Sequence, residues 1–330
     1  MKFTNVIEPA EHVKSISEYY FSVKLQEVAR MNAEGKDVIS LGVGSPDLPP
    51  SESVVDELCK SASNDNIHGY QPYTGIPELK QAYVNWYNKS YNVELSTSEM
   101  LPLIGSKEGI IHVSMAFLNV GDGVLVPNPG YPTYTSVSKL MRSNVMPYDL
   151  VESNNWMPDF EALEKMDLSG VKLMWVNYPN MPTGANATIE LFEQLVAFGK
   201  KHSIVICHDN PYSFILNDTP LSILQVDGAK DICIELNSMS KSHNMAGWRM
   251  GMLASNEQFV QWVLRVKSNV DSGQFKPMQM AAIKALDLPK QWHDNMNLLY
   301  KERRLWAYKI MSALGCKYST NQVGLFVRSE

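Results

Sequence analysis

From Val124 onward, short β-branched runs alternate with helical patterns, and this alternation constrains the fold more than any other feature of the chain. The runs are GVLVP (123–127), VKLMWVNY (171–178), SIVICHD (203–209), DICIELNS (231–238) and RMGMLAS (249–255). Strands separated by helices predict an α/β fold whose sheet is mostly parallel and covered on both faces. Between the runs lie amphipathic stretches such as 188–202, where Ile189, Phe192, Leu195, Val196 and Phe198 fall near helical spacing. The strand ends are polar: Asn177, Asp209 and Ser238 each stand where an apolar run finishes. In open α/β sheets ligands bind beyond the carboxyl ends of the strands.

The two ends of the chain read differently. Residues 17–34 form a helix-like segment stopped by Gly35-Lys36, followed by VISLGVGSPDLPP, a short strand broken by Gly and Pro. Helical patterning returns from Val270, with a Trp- and Tyr-rich helix expected over 290–314. The expected organisation is an N-terminal arm and part of a small domain (1–45), a large domain (46–275) and the remainder of the small domain (276–330).

Composition narrows the class of function. With 45% hydrophobic and 19% charged residues the chain has ample apolar material for a core and too little charge for disorder. Lys and Arg total 29 against 35 Asp and Glu, a net charge of 29 − 35 = −6. With no basic tract, neither nucleic acid nor an anionic membrane is an expected partner. Cys59, Cys207, Cys233 and Cys316 form no CxxC, which argues against a zinc site or a disulfide scaffold, and Cys207 and Cys233 read as buried thiols. No secretory core and no window of about 18 apolar residues is present, so a cytoplasmic location is expected and no metal is.

Four segments could carry chemistry. LIGSKEGI (103–110) is a strand, then Gly105-Ser106-Lys107, then a helical pattern. A helix N-terminus with free N–H groups suits a phosphate, although strand–turn–helix with a glycine is commonplace. NPGYPTY (128–134) presents Tyr131 and Tyr134 on a turn; either could stack on a flat heterocycle or pack as an ordinary turn residue. HDNPYSF (208–214) puts Asp209 at the mouth of an apolar strand, where a carboxylate needs a cationic partner such as a protonated ring nitrogen, unless it caps a helix. NSMSKSHNMAGWRMG (237–251) places Lys241 in a Ser-rich, Gly-bounded loop with Arg249 eight residues on, opening the next strand. A sheltered lysine can lose its proton and form a Schiff base, and an arginine beside serines makes a forked site for a phosphate dianion; a surface loop lysine is the plainer alternative.

In this order these segments resemble the class I/II aminotransferases, pyridoxal phosphate (PLP) enzymes of fold type I. The resemblance covers nearly the whole chain: LGVGSPDLPP, YQPYTGIPELKQA (70–82), GSKEG, NPGYPTY, YPNMPTG (178–184), HDNPY and SMSKSHNMAGWRMG. The wording is similar to the aspartate, alanine and LL-diaminopimelate branches. It implies a seven-stranded, mostly parallel sheet sandwiched by helices, with a second, smaller domain built from the two chain ends. It also implies that Lys241 carries PLP as an imine and shuttles the substrate's proton, and that Asp209 pairs with the pyridinium nitrogen. Tyr212 would bond the ring oxygen, Tyr131 would stack on the ring, and Ser106, Lys107, Ser238 and Arg249 would cradle the phosphate. Tyr70 would reach the phosphate of the neighbouring subunit in a homodimer, and Gly44 would let the substrate carboxylate approach the backbone. The partners implied are an amino acid and a 2-oxo acid.

Two departures from the family pattern stand out. Where the family has Asn-Pro-Thr-Gly this chain reads Met181-Pro182-Thr183-Gly184, leaving the adjacent Asn180 to supply the amide. The chain also stops at VGLFVRSE, a strand-like run, without a residue matching the arginine that clamps the substrate carboxylate in the family, so a truncated small domain is expected. Transamination is the expected activity. A PLP-dependent C–S β-lyase of the same fold, or a PLP-binding protein impaired in catalysis, would use the same residues. No GxGxxG follows a strand, which argues against a nicotinamide dehydrogenase.

Overall fold

The apolar run Val171–Asn177 is buried along almost its whole length, so it requires cover on both faces, and the computed structural model shows how it gets it. The structure describes residues 7–42 and 44–329; Val43 of LGVGSPD, the first six residues and Glu330 lie outside the described residues. The strands are β1 (Met100–Leu103), β2 (Gly123–Asn128), β3 (Asn144–Asp149), β4 (Val171–Asn177), β5 (Val205–Asp209), β6 (Cys233–Ser238) and β7 (Gly251–Ala254). They form one sheet of order β1-β7-β6-β5-β4-β2-β3, in which β7 runs antiparallel to both neighbours and the other pairings are parallel. The expected α/β fold with a mostly parallel seven-stranded sheet is the fold observed.

Successive side chains of a strand point to opposite faces. Met174, Val176, Ile206 and Met252 therefore face one layer of the core, while Leu173, Trp175, Cys207 and Leu253 face the other. On the first side lie the helices Pro77–Tyr91, Ile189–His202 and Lys276–Leu286; on the second lie Ser106–Phe117 and Glu257–Lys267. The helix Ile189–His202 begins at Thr188, whose hydroxyl accepts from Leu191 N at 3.1 Å, and buries Phe192, Leu195, Val196 and Phe198, the stripe expected from spacing. Cys207 and Cys233 are free and buried.

Register aligns the polar strand ends. Asn177 pairs with Asp209 across β4 and β5, Asp209 with Leu236 across β5 and β6, and Ser238 with Gly251 across β6 and β7. One edge of the sheet thus carries Asn177, Asp209 and Ser238 side by side.

Some local expectations are corrected. VISLGVGSPDLPP is a largely exposed irregular segment where described, not a strand: its backbone pairs with no strand, and its bonds go to side chains such as Asn32 and Lys241. VGLFVRSE, as far as Ser329, turns instead of running as a strand: Val323 N donates to Gly184 O and Gly324 N to Ile215 O, each at 2.8 Å, with an isolated bridge at Ser329. Arg249 does not open a strand; it stands two residues before β7 in the left-handed region, φ 56°. The edge strand β3 carried no signal, since its sequence NVMPYD is half-exposed and holds a proline, as edge strands tolerate. The helix Lys276–Leu286 packs on the helices Glu52–Ala62 and Pro77–Tyr91, sharing their core through Ala281, Ala282 and Ala285. The helix over 290–314 is observed as Lys290–Ala313.

Candidate active site

The aligned strand ends open into a cavity of about 580 Å³. Its lining includes Lys241, Asp209, Tyr212, Ser106, Lys107, Tyr131, Ser238, Arg249 and Gly44, so nine residues scattered from position 44 to 249 in the sequence meet in one place.

Asp209, the last residue of β5, is 3% exposed and anchors the floor. The hydroxyl of Tyr134 donates to its Oδ2 at 2.8 Å, and Asn177 Nδ2 donates to its backbone carbonyl at 2.7 Å. Its Oδ1 is buried without a hydrogen-bond partner. Burial pushes the carboxyl up to about 6 from 3.8, against the lowering influence of the Tyr134 hydroxyl, the neighbouring His208 and the Ser106 hydroxyl. A buried carboxylate with an unpaired oxygen at a cavity wall is matched by a cationic N–H.

Lys241 sits in the short helix Met239–Ser242, which follows directly on β6, and its Nζ donates to Gly44 O at 2.6 Å. Burial, and secondarily the nearby charge of Arg249, bring its pKa down to about 8. An amine that deprotonates that readily is a usable nucleophile and base.

The third part is cationic and hydroxyl-rich. Helix Ser106–Phe117 starts at Gly105, whose φ of +98° needs a residue without a side chain, and an added Cβ there would meet Arg249 Nη2 at 2.2 Å. Arg249 donates from Nη2 to Ile104 O at 2.9 Å and from Nη1 to Ala246 O at 2.7 Å and Ser240 Oγ at 3.4 Å. Ser106, Lys107, Ser238 and Ser240 complete the rim. Free amide groups of a helix start, two cations and three hydroxyls suit a phosphate dianion. The Lys107 Nζ now lies over the Tyr19 ring, 3.9 Å from its centre.

Two expected residues are placed elsewhere. Asn180 is not among the lining residues: its Nδ2 donates to Asn177 O at 3.2 Å and its Oδ1 accepts from the Thr183 hydroxyl at 2.8 Å, so its amide is spent on its own turn. The amide at this wall is Asn177, whose Oδ1 accepts from Met181 N at 2.7 Å and whose side chain lines the cavity. Tyr70 is 96% exposed and outside the cavity. Met181 does line it, with the Tyr212 hydroxyl 3.8 Å from its sulfur. No sequence pattern points to the apolar walls Tyr19, Phe21, Leu25 and Phe326, which come from the helix Tyr20–Ala33, the residues just before it and the C-terminal turn. Arg328 packs over the Trp156 ring, 4.5 Å away, and not in the cavity.

Residues 36–330 match the family model of aminotransferase class I and II. The chain belongs to this family. Over 321 residues, 96% of its length, it is 40% identical to LL-diaminopimelate aminotransferase of Dehalococcoides mccartyi, of which it spans 83%. Among solved structures it superposes on BacF from Bacillus subtilis with a TM-score of 0.92 at 36% identity, covering 98% of this chain and 83% of that one. Aspartate aminotransferase from Thermotoga maritima gives 0.88 at 28% identity, with 96% and 84% covered. The protein is a PLP-dependent aminotransferase that exchanges an amino group between an amino acid and a 2-oxo acid. The cavity fits the cofactor: the unpartnered Asp209 Oδ1 suits a protonated ring nitrogen, the helix start at Ser106 with Arg249 packed on Gly105 suits a phosphate, and the low-pKa amine of Lys241 lines the same cavity. Among the described residues no helix is long and apolar enough to cross a membrane.

Proposed function

We propose that the aminotransferase site works with the residue roles read from the sequence, save that Asn180 is engaged within its own turn and Asn177 stands at the cavity wall as a brace for Asp209, and that its amino donor is a diamino dicarboxylic acid of the LL-diaminopimelate type. The observation that carries the roles is the enclosed, half-satisfied carboxylate of Asp209 facing the same cavity as the amine of Lys241. Bound there, PLP supplies the electron sink that stabilises the carbanion left when the substrate loses its α-proton. Asp209 holds the ring nitrogen protonated through Oδ1 and is itself oriented by Tyr134. Lys241 Nζ, neutral above about pH 8, takes the α-proton and returns it. Ser106, Lys107, Ser238 and Arg249 hold the phosphate, Tyr131 covers one face, and the Tyr212 hydroxyl donates toward the ring oxygen. Burial drives the Tyr212 phenol upward, so it remains a donor across the working range.

The donor assignment is supported by relatives named LL-diaminopimelate aminotransferase at 37–40% identity in several lineages. The exposed Tyr70 supports a homodimer in which this residue reaches the partner's phosphate site. The larger part would extend beyond the expected limit at 275, since the helix Lys276–Leu286 packs on the helices Glu52–Ala62 and Pro77–Tyr91. A cytoplasmic location agrees with the buried free thiols.

The test is a transamination panel with 2-oxoglutarate as acceptor and LL-diaminopimelate, aspartate, alanine and aromatic amino acids as donors. The highest kcat/KM is expected for LL-diaminopimelate; a tenfold preference for any other donor overturns the assignment. Size-exclusion with light scattering tests the dimer.

A further inference from the structure

His208, next to Asp209 on β5, points to the opposite face of the sheet and is fully buried, yet both of its ring nitrogens are engaged. Nδ1 lies 2.9 Å from Glu235 Oε2, its register partner on β6, and Nε2 lies 2.9 Å from the carbonyl oxygen of Tyr178. A carbonyl oxygen can only accept, so Nε2 carries a hydrogen. Glu235, fully buried as well, is ringed by donors: the Tyr87 hydroxyl on Oε1 at 2.9 Å, and the Ser222 hydroxyl and Ile223 N–H on Oε2 at 2.8 and 3.1 Å. Two donors already on Oε2, one of them a backbone N–H that can only donate, favour an ionised carboxylate that accepts from Nδ1, and with it a hydrogen on both ring nitrogens. The other groups packed around the pair are the Phe192 ring, Tyr91, Cys233, and the chain neighbours Cys207 and Asp209; of these the carboxylate of Asp209 can answer a positive ring.

We infer that His208 is a positioning residue held as an imidazolium by Glu235, with two effects on the site. Its Nε2–H fixes the Tyr178 carbonyl at the start of the segment 178–184, from which Met181 reaches the cavity wall, and its charge favours the ionised form of Asp209 from behind the sheet. The proton is thereby kept off the one carboxylate that must face a cationic ring nitrogen, in a place where burial alone would protonate it. The second effect rests on the role given to Asp209 above; the protonation state of His208 does not.

The experiment is a two-bond ¹H–¹⁵N correlation spectrum of ¹⁵N-histidine-labelled protein, ligand-free and PLP-loaded, from pH 6.5 to 9, with the His208 signals assigned by their loss in H208N. Both nitrogens are expected at protonated-imidazolium shifts, and E235Q is expected to return Nδ1 to the unprotonated position. A neutral Nε2–H tautomer in the wild-type protein, with the proton on Glu235, overturns the inference. For H208Q, which keeps one donor and no charge, the acid limb of the kcat/KM profile is expected to move up by about one pH unit, a tenfold loss at a pH on that limb. An unmoved limb in a folded H208Q protein overturns the electrostatic effect. Full activity in D209N would sink the role of Asp209 and leave the spectrum as it is.

Discussion

Tyr134 donates its hydroxyl to one oxygen of Asp209 while the other oxygen, equally enclosed, is left without a partner. Tyr134 is itself fixed by stacking on Trp175, with ring centres 5.1 Å apart and planes inclined by 6°. The carboxylate is therefore rigidly held and half-satisfied, a state that burial makes costly in the ligand-free protein and that a ring N–H relieves.

Asp209→Asn should separate stability from activity. The folded pKa of about 6 lies above the reference 3.8, so the folded state binds this proton more tightly than the unfolded state. The group's cost to stability is absent below about pH 4, grows through pH 4–6 and is full above pH 6, where the shift corresponds to at most about 3 kcal/mol. Ligand-free D209N, whose amide can still accept from Tyr134, should melt higher than wild type at pH 7.5 and not at pH 4. Transamination should fall by about 10²–10³-fold as the ring nitrogen loses its counter-charge. Scanning calorimetry at the two pH values and steady-state rates check both; equal melting shifts at both pH values would count against the argument.

Gly105→Ala tests the phosphate end. The new Cβ would lie 2.2 Å from Arg249 Nη2, and φ +98° is unfavourable for alanine, so the guanidinium must leave its bond to Ile104 O. A stability loss of about 1–3 kcal/mol and PLP binding weakened at least tenfold are expected, read by denaturant titration and by equilibrium dialysis. Gly247→Ala, where an added Cβ meets nothing within 4 Å, should leave PLP affinity unchanged.

Which parts of this site were legible in the sequence follows from chain direction. Asp209 and Ser238 end apolar runs, and a strand end in a parallel sheet is a site by construction, so their place could be read from pattern alone. Lys241 and Arg249 were found because a Ser-rich loop gave no other reason for a lysine. Asn177 is visible as a strand end, whereas Asn180, three residues on, spends its amide within its own turn, because the conformation of a turn decides which side chain faces the cavity and spacing alone does not set it. Phe326 and Tyr19 reach the cavity only through tertiary packing of the two chain ends. Strand β3 escaped because an edge strand needs no continuous apolar run.

Lys241 should show its lowered pKa in how the ligand-free protein takes up PLP. The amine attacks only when neutral, and with a pKa brought down to about 8 by burial the rate of covalent uptake should rise through pH 7–8 and level off by about pH 9. An exposed lysine would keep rising toward pH 10.4. Stopped-flow absorbance gives the profile, and borohydride reduction followed by peptide mass analysis should place the pyridoxyl group on Lys241. K241A should show neither; a profile still rising steeply at pH 10 would contradict the burial argument.

Met181→Asn isolates the departure in the 178–184 segment. The Tyr212 hydroxyl faces the Met181 sulfur at 3.8 Å, a weak acceptor in place of an amide that could both donate and accept. Tyr212 is nearly buried and its phenol is held in the protonated form by that burial, so it has a hydrogen to give and little to give it to within the protein. An asparagine at 181 adds one neutral hydrogen-bonding group beside the ring oxygen, worth about 1 kcal/mol, or roughly fivefold in affinity. M181N should therefore bind PLP about fivefold more tightly. M181L, which keeps the volume and removes the sulfur, should match wild type, since the thioether bond is worth little. Fluorescence titration of the ligand-free proteins distinguishes the cases. Equal affinity for all three would mean that Tyr212 and position 181 do not meet the ring oxygen together, whereas weaker binding by M181L alone would mean that the sulfur contact itself holds Tyr212 in place.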